Sequence, residues 1–185
     1  EIAGVLAFSA IQNNDKVGVL FFSDEIELFI PPKKGKSHIL RIIREVLNFE
    51  PKSHKTNISL ALENFNNMVK RKSIAFVLSD FLDDDYADEL RHIAKKHDVI
   101  GIKVYDNLDL ELPNIGLLQV KDVETGKTKW IDTNHATTRT AYAQRATLFD
   151  KNYENSFVKA GADKLRINTA QSYVHILMNF FKKRA

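Results

Sequence analysis

The chain has 185 residues, of which 44% are hydrophobic and 28% are charged, and its formal net charge is +3. This length favours one domain with one substantial core. Its 27 basic and 24 acidic residues nearly balance, so charge is only weak support for a nucleic-acid partner. The lack of cysteine excludes disulfides, cysteine-ligated metal centres and thiol catalysis, and it is typical of a cytoplasmic protein, the location that we expect.

The beginning of the chain has a helical pattern. Ile2, Val5 and Leu6 follow the spacing of an amphipathic helix. Because an α/β domain seldom opens on such a helix, we expect a strand to precede Glu1 in the parent protein. No apolar run approaches the roughly 18 to 20 residues that span a bilayer, so the sequence predicts no membrane-spanning segment.

The next segments predict a hairpin followed by two helices. Residues 17–22 and 25–30 have strand patterns, and a Pro-Pro pair stops the second, which is typical of an antiparallel hairpin at the margin of a sheet. Two amphipathic helices follow, for which Ser37 and Asn57 are the predicted caps.

A continuous apolar run from Ile74 to Leu78 ends at Ser79 and Asp80. Its length and its β-branched and aromatic content predict a central parallel strand that is buried on both faces. Asp80 then lies at the carboxyl end of that strand, where open α/β sheets bind ligands. The acids at positions 83–85 follow, and we expect them to complement the dipole of a helix that they begin rather than to form a metal cluster.

The second half of the chain alternates further strand and helix patterns. In order these are a helix with its apolar stripe from Tyr86 to His97, a strand over 99–105, a hairpin of 115–123 and 127–131 with its turn at 124–126, a helix over 136–159, a strand over 163–168, and a last helix capped by Thr169. A strand–helix–strand order gives a right-handed crossover and a parallel pair. The predicted fold class is α/β, a doubly wound, mostly parallel sheet with helices on both faces and one antiparallel edge hairpin.

Two polar residues are candidate ligands of a metal ion. Thr56, in the loop before the second helix, and Asp80 offer a hydroxyl and a carboxylate, which suit Mg²⁺ or Mn²⁺. They are fewer than the about six oxygens that Mg²⁺ requires, so water, a partner or residues before Glu1 would supply the rest. The alternative is that both residues only cap loop–helix junctions.

Other motifs for catalysis or cofactor binding are absent from the sequence. It contains no GxGxxG, P-loop or nucleophile elbow, and its six histidines lack metal-ligand spacing. We expect these histidines to be surface residues or hydrogen-bonded core residues. The sequence therefore predicts no catalytic residue and no organic cofactor.

Several segments together resemble a known family, the von Willebrand factor A-like domains of "domain of unknown function fifty-eight", which are found beside MoxR-type AAA ATPases. The segments that carry the resemblance are Lys16–Phe22, Pro31–His38, Leu47–Pro51, Lys55–Leu62, Ser73–Phe81, His97–Ile100 and Val104–Asp106. The resemblance covers nearly the whole chain. It implies a single von Willebrand factor A-like domain over residues 1–185, with its first strand missing from the chain.

The resemblance also implies a function. A domains bind a divalent cation through an Asp-x-Ser-x-Ser loop, a threonine and an aspartate, and the last two correspond to Thr56 and Asp80. The Asp-x-Ser-x-Ser loop has no counterpart in this chain, so Mg²⁺ or Mn²⁺ is expected in the longer protein rather than in this segment alone. The implied role is a non-enzymatic protein–protein interaction module, which acts with a MoxR-type ATPase or its client in the assembly or maturation of complexes.

Two other functions compete with this interpretation. A metal-dependent hydrolase, either a phosphatase or a nuclease, would use Asp80 and the acids at 83–85 to hold a metal that activates water. A nucleic-acid binder would use the basic residues at 33–36 and 182–184. Because no aromatic residues are interleaved with these charges, we predict no nucleic-acid partner.

Overall fold

The computed structural model describes residues 1–122 and 126–184, which form an α/β arrangement. Its elements in chain order are α1 (Ile2–Gln12), β1 (Val17–Phe22), β2 (Ile26–Lys33), α2 (Lys36–Asn48), α3 (Ile58–Met68), β3 (Ile74–Ser79), α4 (Ala87–Ala94), β4 (Asp98–Tyr105), α5 (Asn107–Leu110), β5 (Leu117–Lys121), β6 (Thr128–Asp132), α6 (Ala136–Ala160), β7 (Asp163–Asn168) and α7 (Tyr173–Arg184). None of the helices in this described part combines the length and apolar character that crossing a membrane requires.

The main sheet has three parallel strands in the order β3-β4-β7. The register aligns Ser79 with Lys103, and Lys103 with Arg166, near the carboxyl ends of the strands. In the described residues β3 pairs with β4 alone, so the central strand is β4 and the prediction of β3 as the central strand is wrong. Burial agrees, because residues 99–103 of β4 are all buried, whereas most of β3 is only half-buried.

Helices cover both faces of this sheet, as predicted. On one face, α3, α4 and α6 pack on the strands through a cluster that includes Ile58, Leu90 and Phe157. On the other face, α1 and α7 pack on Ile100, Ile102 and Ile167, with Leu177 of α7 buried among them. This layered α/β architecture is consistent with a von Willebrand factor A-like fold.

Two antiparallel hairpins accompany the parallel sheet. Strands β1 and β2 form one two-stranded sheet, and β5 and β6 form another. The amide of Asn57 donates to the carbonyl of Ser23, 3.0 Å away, and so connects the loop before α3 to the end of β1. The predicted turn of the second hairpin lies largely outside the described residues, since only Gly126 of its three residues is described.

Several helix boundaries differ from the sequence-based expectation. Helix α2 begins at Lys36 after Gly35, whose φ of 107° suits glycine, and Ser37 is not its cap. Helix α7 begins at Tyr173, and the Thr169 hydroxyl instead donates to Asp106 Oδ2 at 2.9 Å. The short helix α5 was not predicted; its capping box is built by Asp106 and Asp109.

Candidate functional site at the carboxyl rim of the sheet

Asp80 is held at the surface by the residue that follows it. Phe81 has a left-handed backbone with φ of 52°, which is rare for a bulky residue, and its side chain is only 1% exposed. Its ring packs against Tyr153, Tyr86 and Phe157, with centroids 4.7, 5.6 and 5.5 Å away. The chain therefore turns sharply after β3, so that Phe81 enters the core while the side chain of Asp80 is exposed.

The loop after Asp80 is tied to the start of α3 by Asp83. Its Oδ2 accepts a hydrogen bond from the backbone N–H of Ile58 at 2.8 Å, and its Oδ1 accepts one from Asp85 N at 3.2 Å. The first N–H groups of a helix have no partner inside the helix, so this carboxylate caps α3. The expectation that the acids at 83–85 begin the next helix is wrong, because α4 starts at Ala87.

Thr56 lies in the loop before α3, which the hydrogen bond between Ile58 and Asp83 connects to the loop after Asp80. It is exposed and immediately precedes Asn57, the predicted cap of α3, whose Oδ1 accepts from Leu60 N at 2.8 Å. In the described residues the Thr56 hydroxyl makes no hydrogen bond, and Asp80 accepts only within its own turn, from Ser79 Oγ and Leu82 N at 3.3 Å each. The structure thus joins the loops of the two predicted ligands, while their shared ion stays a prediction.

The donor chemistry of Thr56 and Asp80 fits a hard cation only in part. Both atoms are oxygens of the kind that Mg²⁺ and Mn²⁺ prefer, and both side chains are accessible. However, no three histidine, aspartate or glutamate side chains in ranges 1–122 and 126–184 are grouped so that they could hold a metal. These two residues would therefore provide a minority of the coordination positions.

A charge network around one buried lysine lies beneath the rim and was missed by the sequence analysis. Lys103 in β4 has a side chain that is 4% exposed, and its Nζ lies 2.9 Å from Asp150 Oδ1 in α6. The other carboxylate oxygen of Asp150 accepts from Arg166 Nη2 at 2.8 Å. Lys103 follows the apolar run 99–102 inside β4, and a lysine in that position was the signal that could have revealed this network.

Helix α6, which carries Asp150, also contacts the loop that follows Asp80. The side-chain amide of Asn152 donates to the carbonyls of Asp83 and Asp84 at 3.4 and 3.3 Å. A narrow cleft opens between the loop and the helix, and it is lined by Asp80, Leu82, Lys103, Tyr105, Asp109, Leu110, Ala146 and Asp150. Helix α6 therefore positions both the rim loop and the charges below it.

The amino ends of the strands form the opposite rim, which has different chemistry. His97 is 3% exposed, and neither of its ring nitrogens has a hydrogen-bond partner in the described residues, contrary to the expectation of a surface or hydrogen-bonded histidine. Burial lowers the pKa of His97, and the neighbouring Lys96 ammonium lowers it further. Nearby, Arg184 of α7 binds both carboxylate oxygens of Asp98 at 2.7 Å and Asp163 at 3.2 Å.

Comparison with solved structures supports this fold. The crystal structure of an aerotolerance-related membrane protein from Bacteroides fragilis, carrying multiple mutations to serine, matches with a TM-score of 0.54. The match covers 90% of this chain and 80% of that chain at 15% identity. At this identity the likeness shows the shared α/β architecture alone.

Comparison with known sequences shows the family. An uncharacterised protein of Mycobacterium tuberculosis is 23% identical over 185 residues, which cover 98% of this chain but 58% of that relative. An uncharacterised protein of Mycobacterium avium is 27% identical over 158 residues, which cover 84% of this chain and 93% of that protein. The family model for the protein of unknown function DUF58 matches residues 1–151, and the chain therefore belongs to this family.

Proposed function

We propose that the protein is a non-enzymatic protein–protein interaction module whose carboxyl rim binds a partner through a divalent cation. The observation that supports this most directly is the hydrogen bond from Ile58 N to Asp83 Oδ2, because it joins the loops that carry Thr56 and Asp80. A hydroxyl and a carboxylate then stand exposed on one rim. Both would contribute to the sphere of Mg²⁺ or Mn²⁺, with residues outside this chain and a carboxylate of the partner as further ligands.

The chemistry of the rim suits binding better than catalysis. In the described residues, Asp80 accepts hydrogen bonds only from its own turn, and Asp83 is engaged as a helix cap. A hydrolase would need further protein ligands for a catalytic metal. The hydrolase alternative takes them from the acids at 83–85, but one of these, Asp83, caps α3. A partner carboxylate on a bound cation would instead give a charge-assisted contact that depends on magnesium.

The proposed partner is a MoxR-type AAA ATPase or a client of that ATPase. This part of the proposal depends on the family resemblance, since such domains are found beside these ATPases. The module would then act in the assembly or maturation of protein complexes.

Binding to the MoxR-type ATPase of the same organism tests the proposal. We expect the purified full-length protein to bind it at least about tenfold more tightly in magnesium than in chelator, as measured by biolayer interferometry. Asp80→Ala and Thr56→Ala should each remove that difference. Asp84→Ala is the matched control, because it deletes an exposed acid from the same loop and should leave the magnesium dependence intact.

Two results would contradict the proposal. Equal affinity in magnesium and in chelator would remove the cation from the contact. Metal-dependent hydrolysis of a phosphoester or a nucleic acid that is lost in Asp80→Ala would favour the hydrolase.

A further inference from the structure

We infer that the amino rim of the parallel sheet docks on an anionic lipid surface, to which it presents basic and exposed apolar side chains together. The amino rim consists of the segments that lead into the three strands, 69–73, 95–98 and 159–163, with residues 182–184 at the end of α7 beside them. This rim lies opposite the proposed partner site, so its role does not depend on the proposed function.

The charge of the amino rim is strongly unbalanced. Its four segments contain nine basic and two acidic residues, although the whole chain has a net charge of only +3. The two acids, Asp98 and Asp163, both pair with Arg184. Seven basic side chains are exposed and form no ion pair within residues 1–122 and 126–184. They belong to the run 70–72, Lys95, Lys159, Lys182 and Lys183.

Helix ends explain only part of this charge. Helices α3, α4, α6 and α7 all end at the amino rim, and basic residues stabilise the carboxyl end of a helix. Lys96 does so directly, since its Nζ donates to the carbonyls of Asn66 and Val69 at 3.1 and 3.0 Å. Each helix end carries roughly half a negative charge, so four ends offset about two positive charges. Most of the excess of nine basic over two acidic residues is therefore available to a ligand.

Exposed apolar side chains lie among these basic residues. Ile74, which begins β3, is 61% exposed, and Val158, in the last turn of α6, is 66% exposed. Phe181, in the last turn of α7, is also exposed, and its ring centroid lies 6.2 Å from that of Phe76. Because alternate residues of a strand share a face, Ile74 lies on the same face as Phe76 and Phe181. Helix dipoles do not account for these exposed apolar groups.

This combination fits a lipid surface better than a nucleic acid. Basic side chains attract anionic headgroups, and apolar side chains enter the boundary between headgroups and acyl chains. A nucleic acid also offers phosphates, but its exposed bases are bound by aromatic stacking or by hydrogen bonds to their edges. The exposed Ile74 and Val158 are aliphatic and provide neither contact.

A depression in the amino rim has room for a phosphate headgroup. It is open to solvent, has a volume of about 280 Å³, and its lining includes Lys72 and Lys95. Asp98 is the carboxylate in this lining, and both of its oxygens accept from Arg184 at 2.7 Å. The depression therefore presents a positive wall whose one negative group is already paired.

The carboxyl rim carries the opposite charge, which favours one orientation on the lipid. The segments that follow β3 and β4, 80–88 and 106–111, contain eight acidic residues and no basic residue. An anionic surface therefore attracts the amino rim and repels the carboxyl rim. In this orientation Thr56 and Asp80 lie on the side away from the membrane, where a partner protein can reach them.

Co-sedimentation with lipid vesicles tests the inference. We expect the purified protein to bind vesicles of phosphatidylglycerol and phosphatidylcholine but not vesicles of phosphatidylcholine alone, and added salt should weaken this binding. Lys72→Gln combined with Lys183→Gln should weaken it by more than about tenfold, since each lysine near an anionic leaflet contributes about fivefold. Lys52→Gln combined with Lys55→Gln is the matched control. It removes the same charge from exposed positions in the loop before α3 and should bind like the wild type.

A fluorescent reporter locates the surface that meets the lipid. The chain contains one tryptophan, Trp130, so Trp130→Phe provides a background without tryptophan emission. In that background, Ile74→Trp should show a blue-shifted emission on vesicles that contain phosphatidylglycerol, because the indole enters the membrane interface. Leu82→Trp is the control, because it places the reporter at an exposed apolar position of the carboxyl rim, where no shift is expected.

Three results would overturn the inference. Equal binding to both kinds of vesicle, or binding to neither, would remove the role of the basic amino rim. Binding of an oligonucleotide without binding of the anionic vesicles would assign the rim to nucleic acid. A blue shift of Leu82→Trp but not of Ile74→Trp would place the lipid at the opposite rim. Magnesium-dependent binding of the ATPase is a separate measurement, so the proposed function stands or falls independently.

Discussion

The two rims of the parallel sheet use charge in opposite ways. At the amino rim, Arg184 forms ion pairs with Asp98 and Asp163. At the carboxyl rim, Asp80 is exposed and, among the described residues, accepts hydrogen bonds only within its own turn, while a buried lysine lines the same cleft. Structural ion pairs can explain the first arrangement, whereas the second leaves a carboxylate available for a ligand.

The largest expected effect on stability is at the carboxyl rim, where Asp150 of α6 pairs with Lys103 and Arg166. Asp150→Ala would leave Lys103 buried without a carboxylate, and we expect it to lower the free energy of unfolding by about 3–5 kcal/mol in urea denaturation. Glu154→Ala, one turn further along α6, breaks a more exposed pair with Lys164 and should cost less than about 1 kcal/mol. Equal losses in the two variants would contradict the idea that burial distinguishes them.

A smaller effect on stability is expected at the amino rim, where Arg184 of α7 pairs with the first residues of β4 and β7. Arg184→Ala removes two contacts to Asp98 and one to Asp163, and it should destabilise the protein by about 1 kcal/mol because these groups are partly exposed. Arg91→Ala, which breaks an exposed pair with Asp88, is the control and should change stability by less than about 0.5 kcal/mol. A loss for Arg184→Ala as large as that of Asp150→Ala would abolish the distinction between the rims.

The smallest effect is a dependence of stability on pH that originates at the amino rim. Burial lowers the pKa of His97, so the unfolded chain takes up this proton more readily than the folded protein. The contribution of His97 to the free energy of unfolding should therefore decrease as the pH falls below about 6.5, the ordinary value for histidine, towards its lower folded value. Thermal unfolding between pH 7.5 and 5.5 measures this decrease.

His97→Phe is the variant that isolates this contribution. It keeps an aromatic ring beside Phe65, whose centroid lies 4.8 Å from that of His97, and it removes the titrating group. The melting temperature of this variant should fall less between pH 7.5 and 5.5 than that of the wild type. An identical pH dependence in His97→Phe and the wild type would assign the effect to other groups.

Local patterns were sufficient to predict most of the elements. The long helix predicted over 136–159 is observed as Ala136–Ala160, and the strand predicted over 163–168 is observed with these bounds. Both have strong local determinants, including Gly161, which ends α6 in a left-handed conformation. The cap at Asn57 was predictable for the same reason, because its hydrogen bond reaches only to Leu60.

The errors occur where a distant part of the chain decides the outcome. Asp83 was expected to begin the next helix, but it caps α3, 25 residues earlier in the chain. The central position of β4 depends on its pairing with β7, which no local pattern encodes. The Lys103–Asp150 pair likewise joins residues of a strand and a distant helix, so the sequence indicated the two exposed candidates of the rim but not the charges beneath them.

The backbone turn at Phe81 makes the geometry of the rim dependent on the aromatic core. Since Asp80 and Phe81 are adjacent, any repacking of Tyr86, Tyr153 or Phe157 would also re-aim the acid. A genetic screen for lost partner recognition should therefore yield two classes of mutant. One class would change the exposed ligands Thr56 and Asp80, and the other would change the buried aromatic residues around Phe81. The second class would retain every proposed ligand and still present it in the wrong direction.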